Sequence, residues 1–130
     1  MNIKKPSPWQ QRLTKNFRLD EFLRNSGLAK DEMPEPWILE SLHKLANRLQ
    51  AVRDVLGKPI NITSGYRTPA HNKAVGGAKN SFHLKGMAAD IVVAGMSPRE
   101  VQEALKNWSG GMGAYETFTH LDIRPYKARF

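Results

Sequence analysis

Ile38, Leu39, Leu42, Leu45, Ala46, Leu49, Val52, Val55 and Leu56 recur at the three-and-four spacing that lines up side chains on one face of an α-helix. A helix of this length with a continuous apolar stripe is only marginally stable alone in water, so the rest of the chain must cover it. Pro34 and Pro36 punctuate the loop before it, and Gly57 and Pro59 supply its stop signal. The covering surface is legible downstream. Ile60-Asn61-Ile62-Thr63 alternates like a half-buried strand, and Met87 to Val93 is nearly continuous in apolar residues, as a central strand is. Ala114-Tyr115 and Thr119-His120-Leu121-Asp122-Ile123-Arg124 read as two short strands joined around Glu116 to Phe118. Ser97-Pro98-Arg99-Glu100 is a helix start with a capping box, and that helix is expected to run to about Trp108. Asn16 to Leu23 forms a lead-in and first helical turns ended by Gly27, while residues 65 to 86 read as ordered but irregular, with one helical turn. Helices first and an antiparallel or mixed sheet later make an α+β domain, and 130 residues suffice for one such core.

The chain has no cysteine, which excludes disulfides, thiolate catalysis and Cys-based metal sites. Any metal must sit on His, Asp or Glu. Twenty Lys and Arg against twelve Asp and Glu give a net charge of +8. That balance suits a polyanionic partner, whether nucleic acid, an anionic membrane surface or an anionic cell-wall polymer, without choosing among them. No apolar run approaches the roughly 18 residues of a membrane span. Pro6, Pro8, Gln10 and Gln11 stand where a signal peptide needs its apolar stretch, so the chain is expected to be made in the cytoplasm without a stable membrane anchor. Met1 to Pro8 is expected to be poorly ordered, and Trp9, Trp37 and Trp108 to serve packing.

Of the four histidines, His43 lies off the apolar face of the long helix and reads as a surface or rim residue, while His71 follows a turn and reads as structural. His83 ends a glycine-bearing loop, Asp90 lies on the strand that follows, and His120 lies on a strand expected to pair beside it. A His, Asp, His set with a fourth position open is the arrangement of catalytic zinc, although the same donors also suit Mn or Ni.

Four segments carry a resemblance: Ser64-Gly65-Tyr66-Arg67-Thr68-Pro69, Asn72 to Ala78, Ser81-Phe82-His83-Leu84-Lys85-Gly86-Met87-Ala88-Ala89-Asp90, and His120-Leu121-Asp122-Ile123-Arg124. Over roughly residues 16 to 125 the chain resembles the M15 family of zinc D-Ala-D-Ala peptidases. The resemblance implies a small α+β domain like the hedgehog and DD-peptidase domains, with helices on one face of a mainly antiparallel sheet. Residues 1–15 would be an extension and 16–130 the peptidase domain. It implies one zinc per chain on His83, Asp90 and His120, and a substrate carboxylate on Arg67, with Ser81 and Tyr66 as further substrate-binding candidates.

The general base stays open. Family members place an acid three residues before the last ligand, where this chain has Thr117, with Glu116 one position earlier and Phe118 where a related pattern has His. On a regular strand Asp122 lies one period from His120, so it is the preferred acid, as base or as orienter of the imidazole, with Glu116 second. The function implied is hydrolysis of peptidoglycan stem peptides, at L-Ala-D-Glu in the manner of phage-type endolysins, or else at D-Ala-D-Ala as a carboxypeptidase. A holin would be the export partner, with action in the periplasm or cell wall, and a monomer with no nucleic-acid partner is expected. A non-catalytic wall-binding or nucleic-acid-binding protein is the alternative of another class.

Overall fold

The long helix α2 spans Pro36–Leu56 in the computed structural model, which describes residues 5–130. Ile38, Leu42, Leu45, Ala46, Leu49 and Val52 are buried along it, and Gly57 closes it in the left-handed conformation with φ 64°. Val55 departs from the expected stripe at 83% exposed, because the apolar face runs off the core in the last turn. Trp37 departs too: it stands half in solvent, its indole N–H donating to Glu35 Oε2 at 2.6 Å.

The remaining helices are α1 (Leu19–Leu23), α3 (Pro69–Ala74) and α4 (Pro98–Ala104). The expected capping box closes α4, with Ser97 Oγ accepting from Glu100 N–H and Glu100 Oε1 from Ser97 N–H. That helix stops four residues short of Trp108, whose buried indole turns inward and donates to the Asp122 carbonyl at 2.9 Å. The irregular stretch holds α3 and a 3-10 turn at Phe82–Lys85, rather than a single helical turn.

Five strands, β1 (Ile60–Ser64), β2 (Ala88–Val93), β3 (Gly111–Ala114), β4 (Thr119–Asp122) and β5 (Ala128–Arg129), form one sheet in the order β1-β2-β4-β3-β5. Only the β3–β5 pair is parallel. Alternation sends Ile60, Ile62, Ala89, Ile91, Val93, Met112 and Leu121 into one core with the apolar faces of α1 and α2. The domain is thus the α+β arrangement expected, and the sheet face turned away from that core carries Asp90, His120 and Asp122.

The expectation of a loose N-terminus fails from Ser7 onward; residues 1–4 lie outside the described residues. The Ser7 hydroxyl bonds the Asp31 carboxylate, the Trp9 indole donates to the Glu32 carbonyl at 2.9 Å, and Leu13 packs against the core. No helix among the described residues is long and apolar enough to cross a membrane.

Candidate metal centre

Asp90 sits mid-strand in β2 between Ala89 and Ile91, both committed to the core, so alternation directs its carboxylate to the opposite face. Antiparallel register sets Asp90 directly across from His120 of β4, and residues opposed in this way share a face. His83 arrives from the 3-10 turn. Ser81 Oγ caps that turn by accepting from His83 N–H at 3.2 Å, and Gly86 ends it in the left-handed region at φ 69°. The His83 carbonyl accepts from Arg67 N–H at 3.1 Å, which ties the turn to the Ser64-Gly65-Tyr66-Arg67 segment.

The three side chains are buried, and one ligand atom from each lies within 4.8 Å of the other two. Asp90 Oδ1 is 3.2 Å from His83 Nε2 and 3.1 Å from His120 Nδ1. The far nitrogens decide the tautomers. His83 Nδ1 stands 2.7 Å from the Gly65 carbonyl, which only accepts, so this nitrogen carries the proton. His120 Nε2 stands 2.8 Å from Asp122 Oδ2 and likewise donates. In the neutral rings, His83 Nε2 and His120 Nδ1 therefore present lone pairs toward the same carboxylate oxygen. Two imidazole lone pairs and an anionic oxygen converging on one point repel each other unless a cation lies between them. The residues present fit a divalent metal held by two nitrogens and one oxygen, a donor set that suits zinc.

The titration of these groups reflects the same crowding. Where no cation lies between them, ring protons take its place: burial works to raise the Asp90 carboxyl, but N–H bonds from His120 and His83 outweigh burial and lower it to about 2. Burial works against a charged His120, yet its bonds to Asp122 and Asp90 raise its pKa. Negative charge at this point thus favours a cation.

Asp122 is fully buried and does not line the cleft that opens over the cluster. Its Oδ1 accepts from Gly111 N–H at 3.0 Å and from Arg124 Nε at 2.8 Å, and its Oδ2 from His120 and from Arg124 Nη2 at 2.7 Å. Burial raises its pKa, but the bonds from His120 and Arg124 hold it well below the ordinary carboxylate range. Gly111 faces it across the strands: a Cβ there would lie 2.3 Å from Asp122 Oδ2, so only glycine admits this approach. The Asp122 carboxylate lies behind the imidazole and away from the cleft, a placement that favours the orienting role over that of base.

Arg67 lines the cleft with its guanidinium already divided among three acceptors. Nε donates to Ser64 Oγ at 3.0 Å, Nη1 to Asn72 Oδ1 at 3.2 Å and Nη2 to Asp90 Oδ2 at 3.3 Å. A guanidinium has five N–H groups, so one on each terminal nitrogen is left for a ligand. Arg67 therefore braces Asp90, a role the sequence did not suggest, while keeping donors at the cleft.

The cleft has a volume of about 570 Å³, and Ser81 is among the residues that line it. Tyr66 is not: it is 6% exposed and packs in the hydrophobic core. Glu116 is exposed on a tight turn in which Tyr115 N–H donates to the Phe118 carbonyl; Tyr115 and Phe118 line the cleft and Glu116 itself does not. His43 is exposed and His71 lies outside the cleft lining, as read from the sequence. Asn72, Arg124 and Phe130 are the participants that sequence reasoning passed over. A carboxylate beside a metal-binding histidine calls for a partner, and Arg124 two residues on was that signal; no spacing announces that β5 returns Phe130 to the site.

Residues 15–122 match the family model described as Peptidase M15. The peptidoglycan L,D-endopeptidase MepK of Escherichia coli (strain K12) is 31% identical over 116 residues, which are 83% of this chain and 61% of the relative. A probable peptidoglycan L,D-endopeptidase MepK of Haemophilus influenzae is 29% identical over 120 residues, 85% of this chain and 61% of that protein. The zinc D-Ala-D-Ala carboxypeptidase of Streptomyces albus G is 49% identical over 45 residues, 34% of this chain and 18% of the relative. The chain spans about three fifths of the length of the MepK relatives it matches. With the His, Asp, His cluster assembled from the segments quoted above, and with a family match over most of its length, the chain belongs to the peptidase M15 family.

Proposed function

We propose that this chain is a zinc-dependent peptidase that hydrolyses peptidoglycan stem peptides at a bond from an L to a D residue, L-Ala-D-Glu foremost. The observation that carries the reading is the convergence of His83 Nε2, Asp90 Oδ1 and His120 Nδ1, with both tautomers fixed from behind. The L,D-endopeptidase activity for which the MepK relatives are named suggests the L-to-D polarity, and the Streptomyces relative, a zinc carboxypeptidase, suggests the metal. Zinc in this site would polarise a peptide carbonyl as a Lewis acid and make water nucleophilic near neutral pH.

The chain's own residues do the rest. Gly65 C=O and Asp122 hold the two rings with their lone pairs turned inward, and Arg67 holds Asp90 so that Oδ1 points at them. A free carboxylate on the substrate would meet the two remaining N–H groups of Arg67. Proton transfer needs an acid that solvent and substrate can reach, and Asp122 is sealed behind the His120 ring. Glu116 does not itself line the cleft but stands exposed on the turn between Tyr115 and Phe118, which do; we assign it that role, reached by movement of its free side chain, and Asp122 the orienting one.

Purified protein is expected to hold close to one zinc per chain by elemental analysis, and chelation should abolish hydrolysis of isolated peptidoglycan until zinc is restored. Full turnover in metal-free protein would exclude the reading. Arg67→Ala is expected to act twice. Loss of the brace on Asp90 should weaken zinc affinity about 10- to 100-fold. Loss of a charge-assisted pair with the substrate should cost roughly 1.5 to 3 kcal/mol, hence tenfold or more in kcat/KM at saturating zinc. Metal titration and kinetics on the same preparation separate the two effects, and a variant unchanged in both would leave Arg67 a structural residue.

A further inference from the structure

We propose that the aromatic wall of the cleft is a subsite for the sugar that carries the stem peptide, an N-acetylated muramic acid ring. The inference rests on the reading of the cleft as a peptidoglycan peptidase site and names the part of the substrate beyond the peptide. Tyr115 and Phe118 stack with ring centroids 4.5 Å apart and planes 10° apart, and Tyr115 remains 45% exposed. Phe130, 53% exposed, stands beside His120 with centroids 5.3 Å apart. All three line the cleft.

Clustered large aromatics left open to water mark a recognition surface when they are held in place. Three devices hold these. The Gln102 side-chain amide of α4 donates to the Tyr115 carbonyl and to Thr119 Oγ1, each at 3.2 Å, which pins both ends of the turn. The backbone of Phe130 is bonded on both sides, its N–H to the Met112 carbonyl at 3.1 Å and its carbonyl to Ala114 N–H at 2.8 Å. Gly113 lies beneath the rings, where a Cβ would come within 2.6 Å of Phe130 and 2.8 Å of Tyr115. The wall is therefore preformed, so a ligand binding to it need not order the rings first.

The chemistry of the substrate decides what fits there. A stem peptide offers methyl groups, carboxylates and amides, for which Arg67, Asn80 and Ser81 provide polar partners in the same cleft. It offers no ring and no broad apolar face. That face belongs to the pyranose ring, whose axial C–H bonds can lie on an aromatic surface while its hydroxyl and acetamido groups stay in water. In L-Ala-D-Glu cleavage only one residue separates the sugar from the scissile bond, so the sugar must lie close to the metal cluster. Phe130, against the ring of His120, meets that requirement.

Two measurements test the subsite, and only one depends on turnover. N-acetylglucosaminyl-N-acetylmuramic acid without peptide, titrated into the zinc protein, should shift the ring proton resonances of Tyr115, Phe118 and Phe130 selectively. In kinetics, a disaccharide-peptide should be cleaved with a kcat/KM about tenfold above that of the same peptide without sugar, the size expected of one or two aromatic contacts. Most of that difference should lie in KM. Tyr115→Ala should reduce the ratio to below about twofold, and Tyr115→Phe should keep it. Ring shifts without cleavage of either substrate would support the subsite and refute the peptidase reading. Absence of ring shifts, or equal cleavage of both substrates by the unaltered protein, would overturn the subsite and leave the peptidase reading standing.

Discussion

His120→Ala is expected to abolish peptide hydrolysis while the protein still folds. The substitution removes one of three converging donors, and the contribution of such a metal to charge stabilisation in the transition state is several kcal/mol, about a thousandfold or more in rate. The fold should survive for reasons visible around the vacated ring. Asp122 would keep Gly111 N–H and the Arg124 guanidinium, so no buried carboxylate is stranded, and the core lies on the other face of the sheet. Circular dichroism of the metal-free variant should match that of the metal-free parent. Turnover at the parental rate with zinc bound would remove His120 from the site.

The second large effect separates two carboxylates that the sequence left in competition. Glu116→Gln removes a charge from an exposed turn where it braces nothing, so zinc content and stability should be unchanged and kcat should fall about 100- to 10,000-fold, the usual weight of a general base. Asp122→Asn should act on the metal instead. The amide can no longer fix the His120 tautomer as an anion does, and zinc affinity should fall about 10- to 100-fold, with activity largely recovered at high zinc. Equilibrium zinc titration beside kinetics at saturating zinc reads both outcomes. Loss of turnover in Asp122→Asn at saturating zinc, with Glu116→Gln fully active, would reverse the assignments.

The reason this pair could not be resolved from spacing is instructive. Period-two reasoning along Thr119–Asp122 correctly puts His120 and Asp122 on one face, but it gives no depth. Depth comes from Gly111, whose missing side chain lets the neighbouring strand close over Asp122, and from Arg124, which saturates it. The same reasoning extended to Glu116 fails because the strand begins only at Thr119, after a turn.

Elsewhere local signals sufficed. The stripe on α2 as far as Val52, the Gly57 stop, the Ser97 capping box and the continuous apolar run of β2 each depend on neighbours within a few residues, and each is found where the pattern puts it. The metal cluster was legible because its ligands sit in motifs of recognisable order. What escaped were contacts between distant segments: Tyr66 drawn into the core, Arg67 bridging Ser64, Asn72 and Asp90, and Phe130 returned to the cleft by a short parallel strand. No local pattern encodes these, because each depends on where a separate element comes to rest.

The most direct test is mass analysis of the fragments released from purified peptidoglycan, with the chelated protein as control. Cleavage at L-Ala-D-Glu predicts free peptides that begin with D-Glu, together with glycan strands that end their lactyl groups in a single L-Ala, and both should vanish on chelation. Release of D-Ala alone would make the chain a carboxypeptidase and contradict the endopeptidase reading. An unchanged fragment profile from zinc-loaded protein would contradict the peptidase function itself.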